Sequence, residues 1–284
     1  MQTVLVVVGL IGFLCVVLYI SRILDHTEEK NQTPVKIPQT VAPLPVKKHS
    51  SALQKFPDTI AFLDVETTGL HSRDRIVTLA VALLDTCEIQ EGKAQISFIH
   101  RIYNPGIHCQ PDAERIHGHS DWTLRQQLFF IDEAKEVSEF ISKAGMVCCH
   151  NAEFDLNFVN REFVHAGIPA IKVPIYCTMK RYRQQYAGSA SLANLGAQLG
   201  LQRQTNMHGA LEDVFLTMNV FLVLNKVSLR ISIPDVDKLG FQNLREVPPQ
   251  PMGTLPPRKR RPKTPSCLFT SPAPSESQPP PVAP

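Results

Sequence analysis

Two carboxylates close the apolar run of residues 59–70, Thr-Ile-Ala-Phe-Leu-Asp-Val-Glu-Thr-Thr-Gly-Leu, where Asp64 and Glu66 stand two apart. On a β-strand, residues two apart share a face, so both acids project together from the end of one strand. Like charges held that close repel strongly in a low dielectric, and a cation between them relieves the repulsion. An all-oxygen ligand set suits a hard divalent ion, Mg²⁺ or Mn²⁺, rather than zinc. An isolated Asp-x-Glu is more often an acidic pair facing water, so the metal reading needs ligands from elsewhere in the chain. Two other segments offer them. His150-Asn151-Ala152-Glu153-Phe154-Asp155 follows a short apolar run, and His208-Gly209-Ala210-Leu211-Glu212-Asp213 opens a long one. His208 and Asp213 are five apart, about 140° around a helix, and converge only if His208 lies in the loop before that helix and folds back.

These groups sit at the ends of elements that the sequence pattern defines. Residues 59–66 read as a buried strand. After a charged turn, His71-Ser72-Arg73-Asp74-Arg75, residues 76–84 are almost continuously apolar, as in a central strand, and residues 94–103 alternate enough for a third. The three form an antiparallel meander. Ile131, Ala134, Val137, Phe140 and Ile141 make a helical stripe that Gly145 closes. Residues 146–149 form a short buried strand running into an amphipathic helix that ends near Gly167, a parallel α/β unit. Asp155 then lies in the first turn or so of that helix, beyond the carboxyl end of its strand, where ligands gather in open α/β sheets. A last strand over 173–178, a helix opening at Ser189-Ala190-Ser191-Leu192 and a long apolar helix to about Val227 complete a body spanning 58–227.

The flanks differ from that body. Of the 284 residues 43% are hydrophobic, enough for a sizeable core, and the net charge of +3 neither demands nor excludes a nucleic-acid partner. The seven cysteines have no Cys-x-x-Cys spacing, and Cys148 and Cys149 are neighbours in an apolar strand, which fits reduced, buried thiols better than disulfides or a zinc site. Residues 3–20 carry no charge and, at 18 residues, reach across a bilayer core. A signal peptide would want basic residues ahead of the span and a small-x-small cleavage site. The first is missing and Tyr19-Ile20-Ser21-Arg22 matches the second poorly, so residues 1–21 read as an uncleaved transmembrane anchor, with a cleaved signal peptide as the main rival. Arg22, Lys30 and Lys36 follow the span and no cation precedes it, which places the rest of the chain in the cytoplasm. Residues 22–57 are polar and punctuated by Pro34, Pro38, Pro43 and Pro45, as a linker is. Fourteen of the 23 prolines lie from Pro234 onward, so residues 228–284 read as a disordered tail. Within it, Arg258-Lys259-Arg260-Arg261-Pro262-Lys263 is either a solvated charge run or a tether for nucleic acid or anionic lipid, and Pro279-Pro280-Pro281 offers a protein partner a polyproline segment.

Taken together, the acidic segments resemble the DEDDh class of 3′–5′ exonucleases, and in particular the proofreading epsilon subunit of bacterial DNA polymerase III and its relatives. The D-x-E-T-T-G motif is Asp64 to Gly69, H-N-A-x-F-D is His150 to Asp155, and H-x-A-x-x-D is His208 to Asp213; Ile116-His117-Gly118 and Ser191-Leu192 also match. The resemblance covers about residues 58–227. It implies a ribonuclease H-like α/β fold, a mixed sheet flanked by helices. It implies that Asp64, Glu66, Asp155 and Asp213 bind two divalent metal ions, Mg²⁺ or Mn²⁺, with His208 as general base. It further implies that the backbone around Thr67 meets the terminal 3′-hydroxyl, that Leu70 wedges near the last base, and that His117 and Phe154 line the nucleotide pocket. Phe154, taken on its own, reads equally well as core packing. Thr78 and Cys177 depart from residues common at those positions among relatives, though neither is a ligand position.

Two cations in such a cage suit in-line phosphodiester hydrolysis, and a histidine titrating near working pH is able to accept the water's proton. The expectation is a 3′–5′ exonuclease that shortens single-stranded DNA, anchored in the bacterial inner membrane through residues 3–20 with its catalytic domain in the cytoplasm. The same chemistry on RNA 3′ ends, and a non-catalytic interaction platform with an exonuclease-like fold, are the alternatives.

Overall fold

The computed structural model describes residue 53 and residues 55–89, 94–201 and 209–264. Five strands make one sheet: β1 (Thr59–Thr67), β2 (Ile76–Asp85), β3 (Ile96–Ile102), β4 (Met146–Cys149) and β5 (Ile175–Cys177), in the spatial order β3-β2-β1-β4-β5. The first three pair antiparallel, and β4 and β5 join in parallel, which is the mixed sheet the sequence pattern implies. One helical turn, α1 (Thr86–Ile89), links β2 to β3. The crossover from β3 to β4 carries α2 (Pro111–His117), α3 (Asp121–Arg125) and α4 (Phe130–Ile141). Beyond β4 come α5 (Ala152–His165), then α6 (Thr178–Gln185), α7 (Leu192–Gln198), α8 (Ala210–Leu224) and α9 (Val236–Leu239).

The period of two along β1 builds both layers. Ala61, Leu63 and Val65 pack with Val137 and Ile141 of α4 and Phe158 and Phe163 of α5. Ile60 and Phe62 point the other way, onto Phe215, Met218 and Phe221 of α8. The Phe62 and Phe221 rings meet edge to face at 5.4 Å between centroids. Cys148 and Cys149 divide between the same two layers, both as free thiols whose pKa burial pushes well up. Because α8 has the sheet on one side and α6 and α7 on another, nearly every position along it is buried. Its one buried amide, Asn219, clamps the chain that follows: Nδ2 donates to Ile231 O at 2.8 Å, and Ile231 N–H donates to Oδ1 at 2.9 Å.

Two expectations need correction. Residues 178–185 are helix α6, whereas the strand was expected to reach 178 and no helix before Ser189. Only Thr178 and Tyr182 of α6 are buried, so it writes no apolar stripe into the sequence. Residues 228–264, read as the start of a disordered tail, run instead as a strap over the body. Gln242 N–H donates to His100 O at 3.0 Å, Ile102 N–H to Asn243 Oδ1 at 2.9 Å, and Asn243 Nδ2 to Ile102 O at 3.0 Å. Those bonds occupy the outer edge of β3, a row of main-chain groups that would otherwise template aggregation. Farther along, Arg245 N–H donates to Gln127 Oε1 at 2.9 Å, Trp122 Nε1–H to Pro248 O at 2.7 Å, and Arg125 to Pro256 O. The strap shows no periodicity because its partners belong to other elements rather than to its own backbone.

The expected anchor (1–21), all of the linker (22–57) but residues 53 and 55–57, and the proline run at 279–281 lie outside the described residues. Among the described residues, no helix is long and apolar enough to cross a membrane.

Candidate active site

β1 carries Asp64 and Glu66 on one face, and a register shift between Glu66 and Thr67 ends its regular pairing with β2. On the other side β4 pairs only with Ile60, Ala61 and Phe62. Past that point the chain turns through His150 and Asn151 into α5, and a side chain replaces the missing ladder partner: Val65 N–H donates to Asp155 Oδ1 at 3.3 Å. α8 supplies the last acid. Gly209 is its N-cap, and Asp213 stands in its first turn, where aligned backbone dipoles favour a carboxylate. One carboxylate oxygen from each of Asp64, Glu66 and Asp213 lies within 4.8 Å of the others. Two distant segments, β1 and α8, thus converge, and Asp155 of α5 brings a third beside them.

Asp155 is buried, and that burial pushes its pKa up to about 8; the Val65 N–H bond works against the shift, and the nearby Asp213 charge adds to it. A cation next to it would favour the ionised form and reverse that shift. The donor set is all carboxylate oxygen, held close and partly dehydrated, which fits hard divalent ions. His208, the expected base, lies outside the described residues, directly ahead of Gly209.

The loop after β1 is braced from several sides. Thr67 Oγ1 donates to Gly69 O at 2.7 Å, and Thr68 Oγ1 donates to Asp74 Oδ1 at 2.9 Å. Asp74 Oδ2 accepts from His71 N–H at 2.7 Å and from Gln110 Nε2 at 3.1 Å. Arg161, from α5, donates to the carbonyls of Ser72 and Asp74. A Cβ on Gly69 would lie 2.4 Å from Gln110 Nε2, so any larger residue would have to push the ends of these arms aside. Held this way, the loop presents Leu70 to solvent at 78% exposure. The main chain also ties α2 to this loop, through Gln110 N–H to Thr68 O at 2.8 Å.

At the far end of α2, His117 is buried, and His119 N–H donates to its Nδ1 at 3.0 Å. Nδ1 is therefore the acceptor and Nε2 carries the proton; Nε2 is buried and has no hydrogen-bond partner among the described residues. Burial holds this ring's pKa down at about 4, with the neighbouring His119 contributing, so it stays neutral. Phe154 is half-buried and tilts against Phe158 at 4.9 Å, so core packing accounts for at least part of it. His150 is a structural pin: Nε2 donates to Ala190 O at 2.7 Å, and Nδ1 faces the Thr178 hydroxyl at 2.9 Å. Three functional supports went unread in the sequence, namely Asp74, Arg161 and the His119 main chain. Only Asp74 left a signal, as one acid inside a charged turn.

A five-stranded sheet in this order, with acids gathered at the end of β1 and the first turn of α8, is the ribonuclease H-like exonuclease fold. The chain belongs to the exonuclease family, whose model matches residues 61–221, and to its 3′–5′ DEDDh group. Among curated relatives, the DNA polymerase III subunit epsilon of Rickettsia felis is 32% identical over 173 residues, covering 57% of this chain and 72% of that one. The epsilon subunit of Buchnera aphidicola from Schizaphis graminum is 28% identical over 177 residues, covering 58% and 73%. Among solved structures, apo exonuclease I superposes with a TM-score of 0.51 at 18% identity, covering 60% of this chain and 42% of that one. E. coli exonuclease I in complex with a dA16 oligonucleotide gives a TM-score of 0.50 at 18% identity, with the same coverage. The chain thus spans well under half of the exonuclease I molecules it matches, and that likeness concerns the fold.

Proposed function

We propose that this exonuclease removes nucleotides from the 3′ ends of single-stranded DNA by metal-assisted hydrolysis. The observation that carries the reading is the convergence of Asp64, Glu66 and Asp213 within 4.8 Å, with buried Asp155 alongside. Those four carboxylates would hold two divalent cations, Mg²⁺ or Mn²⁺. When bound, the ions supply Lewis acidity toward the phosphoryl oxygens and make water more acidic. The remaining work falls to side chains. His208 takes the proton from the attacking water. Thr67, on the braced loop, meets the terminal 3′-hydroxyl, and exposed Leu70 separates the last base from its neighbour. His117, locked as the Nε2–H tautomer by its bond from His119, donates to an oxygen of the strand. The exposed side of Phe154 offers a stacking surface, which is indifferent to base identity.

Support for DNA as substrate comes from the relatives, which are DNA polymerase subunits, and from the fold neighbour crystallised with dA16. The test is a single strand labelled at its 5′ end, in DNA and RNA versions, incubated with Mn²⁺ with and without chelator. Metal-dependent shortening of the DNA is expected. Absence of any shortening would leave an interaction platform, and preference for RNA would move the substrate class.

The proposal extends to location: residues 3–20 anchor the chain in the bacterial inner membrane, with the catalytic domain in the cytoplasm. The uncharged 18-residue stretch and the cations that follow it support this. Full-length protein should then stay with membranes through an alkaline wash, and protein lacking residues 1–21 should not. Equal release of both would remove the anchor.

A further inference from the structure

The basic run at 258–263 lies beyond the residues that the exonuclease family model matches, and the body divides its five cations into two sets. Arg258 pairs with Asp121 of α3, and Arg261 pairs with Glu162 of α5, which also holds Arg75 at 2.7 Å. Farther on, His165 Nε2 approaches Pro262 O, and the Thr264 hydroxyl meets His165 Nδ1, both at 3.2 Å. With residues 258 and 261 turned inward and pinned, Lys259, Arg260 and Lys263 are left exposed, and among the described residues no ion pair involves them.

We propose that Lys259, Arg260 and Lys263 form a fixed cationic ridge that holds the phosphodiester backbone of the substrate strand upstream of its 3′ end. This rests on the reading of the chain as a single-strand exonuclease. The strap crosses the two elements whose other connections lead to the reacting end: α5 carries Asp155 in its first turn, and α3 follows the α2 helix that carries His117. Asp155 and Glu162 are seven residues apart, about 10 Å along the helix axis. A strand whose last phosphodiester lies among the acids therefore reaches the ridge only with nucleotides farther from its end. A repulsive acidic cage needs such help: the same carboxylates that hold cations push the polyanion away, and cations set back from the cage offset that push. Pinning also removes the ordering cost that a loose tail would meet on binding. An anionic lipid surface is the weaker match, because lipid recognition draws on clusters of about four to eight free cations and the body neutralises two of the five here.

The test compares the wild-type full chain with a Lys259→Ala/Arg260→Ala/Lys263→Ala variant in Mn²⁺, on a DNA strand of about 20 nucleotides and on a dinucleotide too short to reach the ridge. Each backbone contact to a single strand contributes about 0.7 to the slope of log affinity against log salt, so losing three should lower that slope by about 2 and raise KM on the long strand by about tenfold or more. kcat on the long strand and turnover of the dinucleotide should not change. A Lys259→Arg/Arg260→Lys/Lys263→Arg variant should restore KM and slope. Unchanged KM and slope in the alanine variant would overturn the ridge, as would an equal loss on the dinucleotide, which indicates damage to the cage. Loss of binding to vesicles rich in phosphatidylserine, with DNA kinetics intact, would overturn it in favour of a membrane contact. If the wild-type chain shortens no strand at all, the functional reading has failed instead, and direct binding of the labelled strand to both proteins then decides the ridge alone.

Discussion

Acid should loosen the strap at His100. This ring is 6% exposed, its Nδ1–H donates to Gly240 O at 3.0 Å, and Phe241 covers it at 4.1 Å between centroids. Burial pushes its pKa from 6.5 down to about 4; the Gly240 bond resists, while His119 and Arg101 push it lower. The unfolded chain therefore binds a proton between pH 6.5 and 4 that the folded chain refuses. Stability from this group is complete above pH 6.5 and drains away as pH falls toward 4. At pH 5 that linkage removes on the order of 2 kcal/mol relative to pH 7. The perturbation is His100→Asn, whose amide still donates to Gly240 O but does not titrate. Urea unfolding at pH 7 and pH 5 should show the wild type losing on the order of 2 kcal/mol more than the variant over that interval. Only the difference in pH response is compared, so the cavity the smaller side chain leaves is common to both conditions. Amide exchange at Gln242 and Ile102 should quicken in the wild type at pH 5 before the core opens. Identical pH responses would refute the reasoning, because a ring able to take up its proton in place is not sealed by the strap.

Three further outcomes follow from the site and the core. His208→Ala should lose about 10²–10⁴-fold in kcat while calorimetric Mn²⁺ binding persists, and wild-type turnover would remove it as the base. Gly69→Ala puts a Cβ 2.4 Å from Gln110 Nε2 and 2.7 Å from Asp74 Oδ2, so the ends of those two side chains must shift and their bond to each other weakens. A loss of about 1–3 kcal/mol in chemical denaturation is expected, with kcat/KM falling at least as far because the loop carries Thr67 and Leu70. Asn219→Ala strands the N–H and C=O of Ile231 inside the protein and should cost about 2–4 kcal/mol by urea unfolding, with metal-dependent turnover of the remaining folded fraction intact.

How legible these features were depended on where their partners lie. β1 and β2 were readable because their contacts follow the period of the strand: Ala61, Leu63 and Val65 go one way, Ile60 and Phe62 the other. Cys148 and Cys149 divided between faces for the same reason. The acids were readable as types at element ends, and their convergence follows from β1 lying beside β4 and packing on α8. The strap was not readable. Gln242 and Asn243 are ordinary polar residues, and nothing local marks them as partners for His100 and Ile102 about 140 residues earlier. Its prolines argued for disorder, yet Pro248 and Pro256 are held through their carbonyls, which proline keeps. Helix α6 stayed hidden because basic and amide residues make up most of it and only Thr178 and Tyr182 are buried. The tautomer of His117 depends on one main-chain N–H from His119, a contact no side-chain pattern reports.

The most direct test of the cage is Mn²⁺ titration calorimetry on the metal-free full chain, beside Asp64→Asn and Asp213→Asn. The wild type should take up two ions and each variant should lose at least one of them, with no substrate present. Binding in the variants indistinguishable from wild type, or no binding in the wild type, would contradict the account.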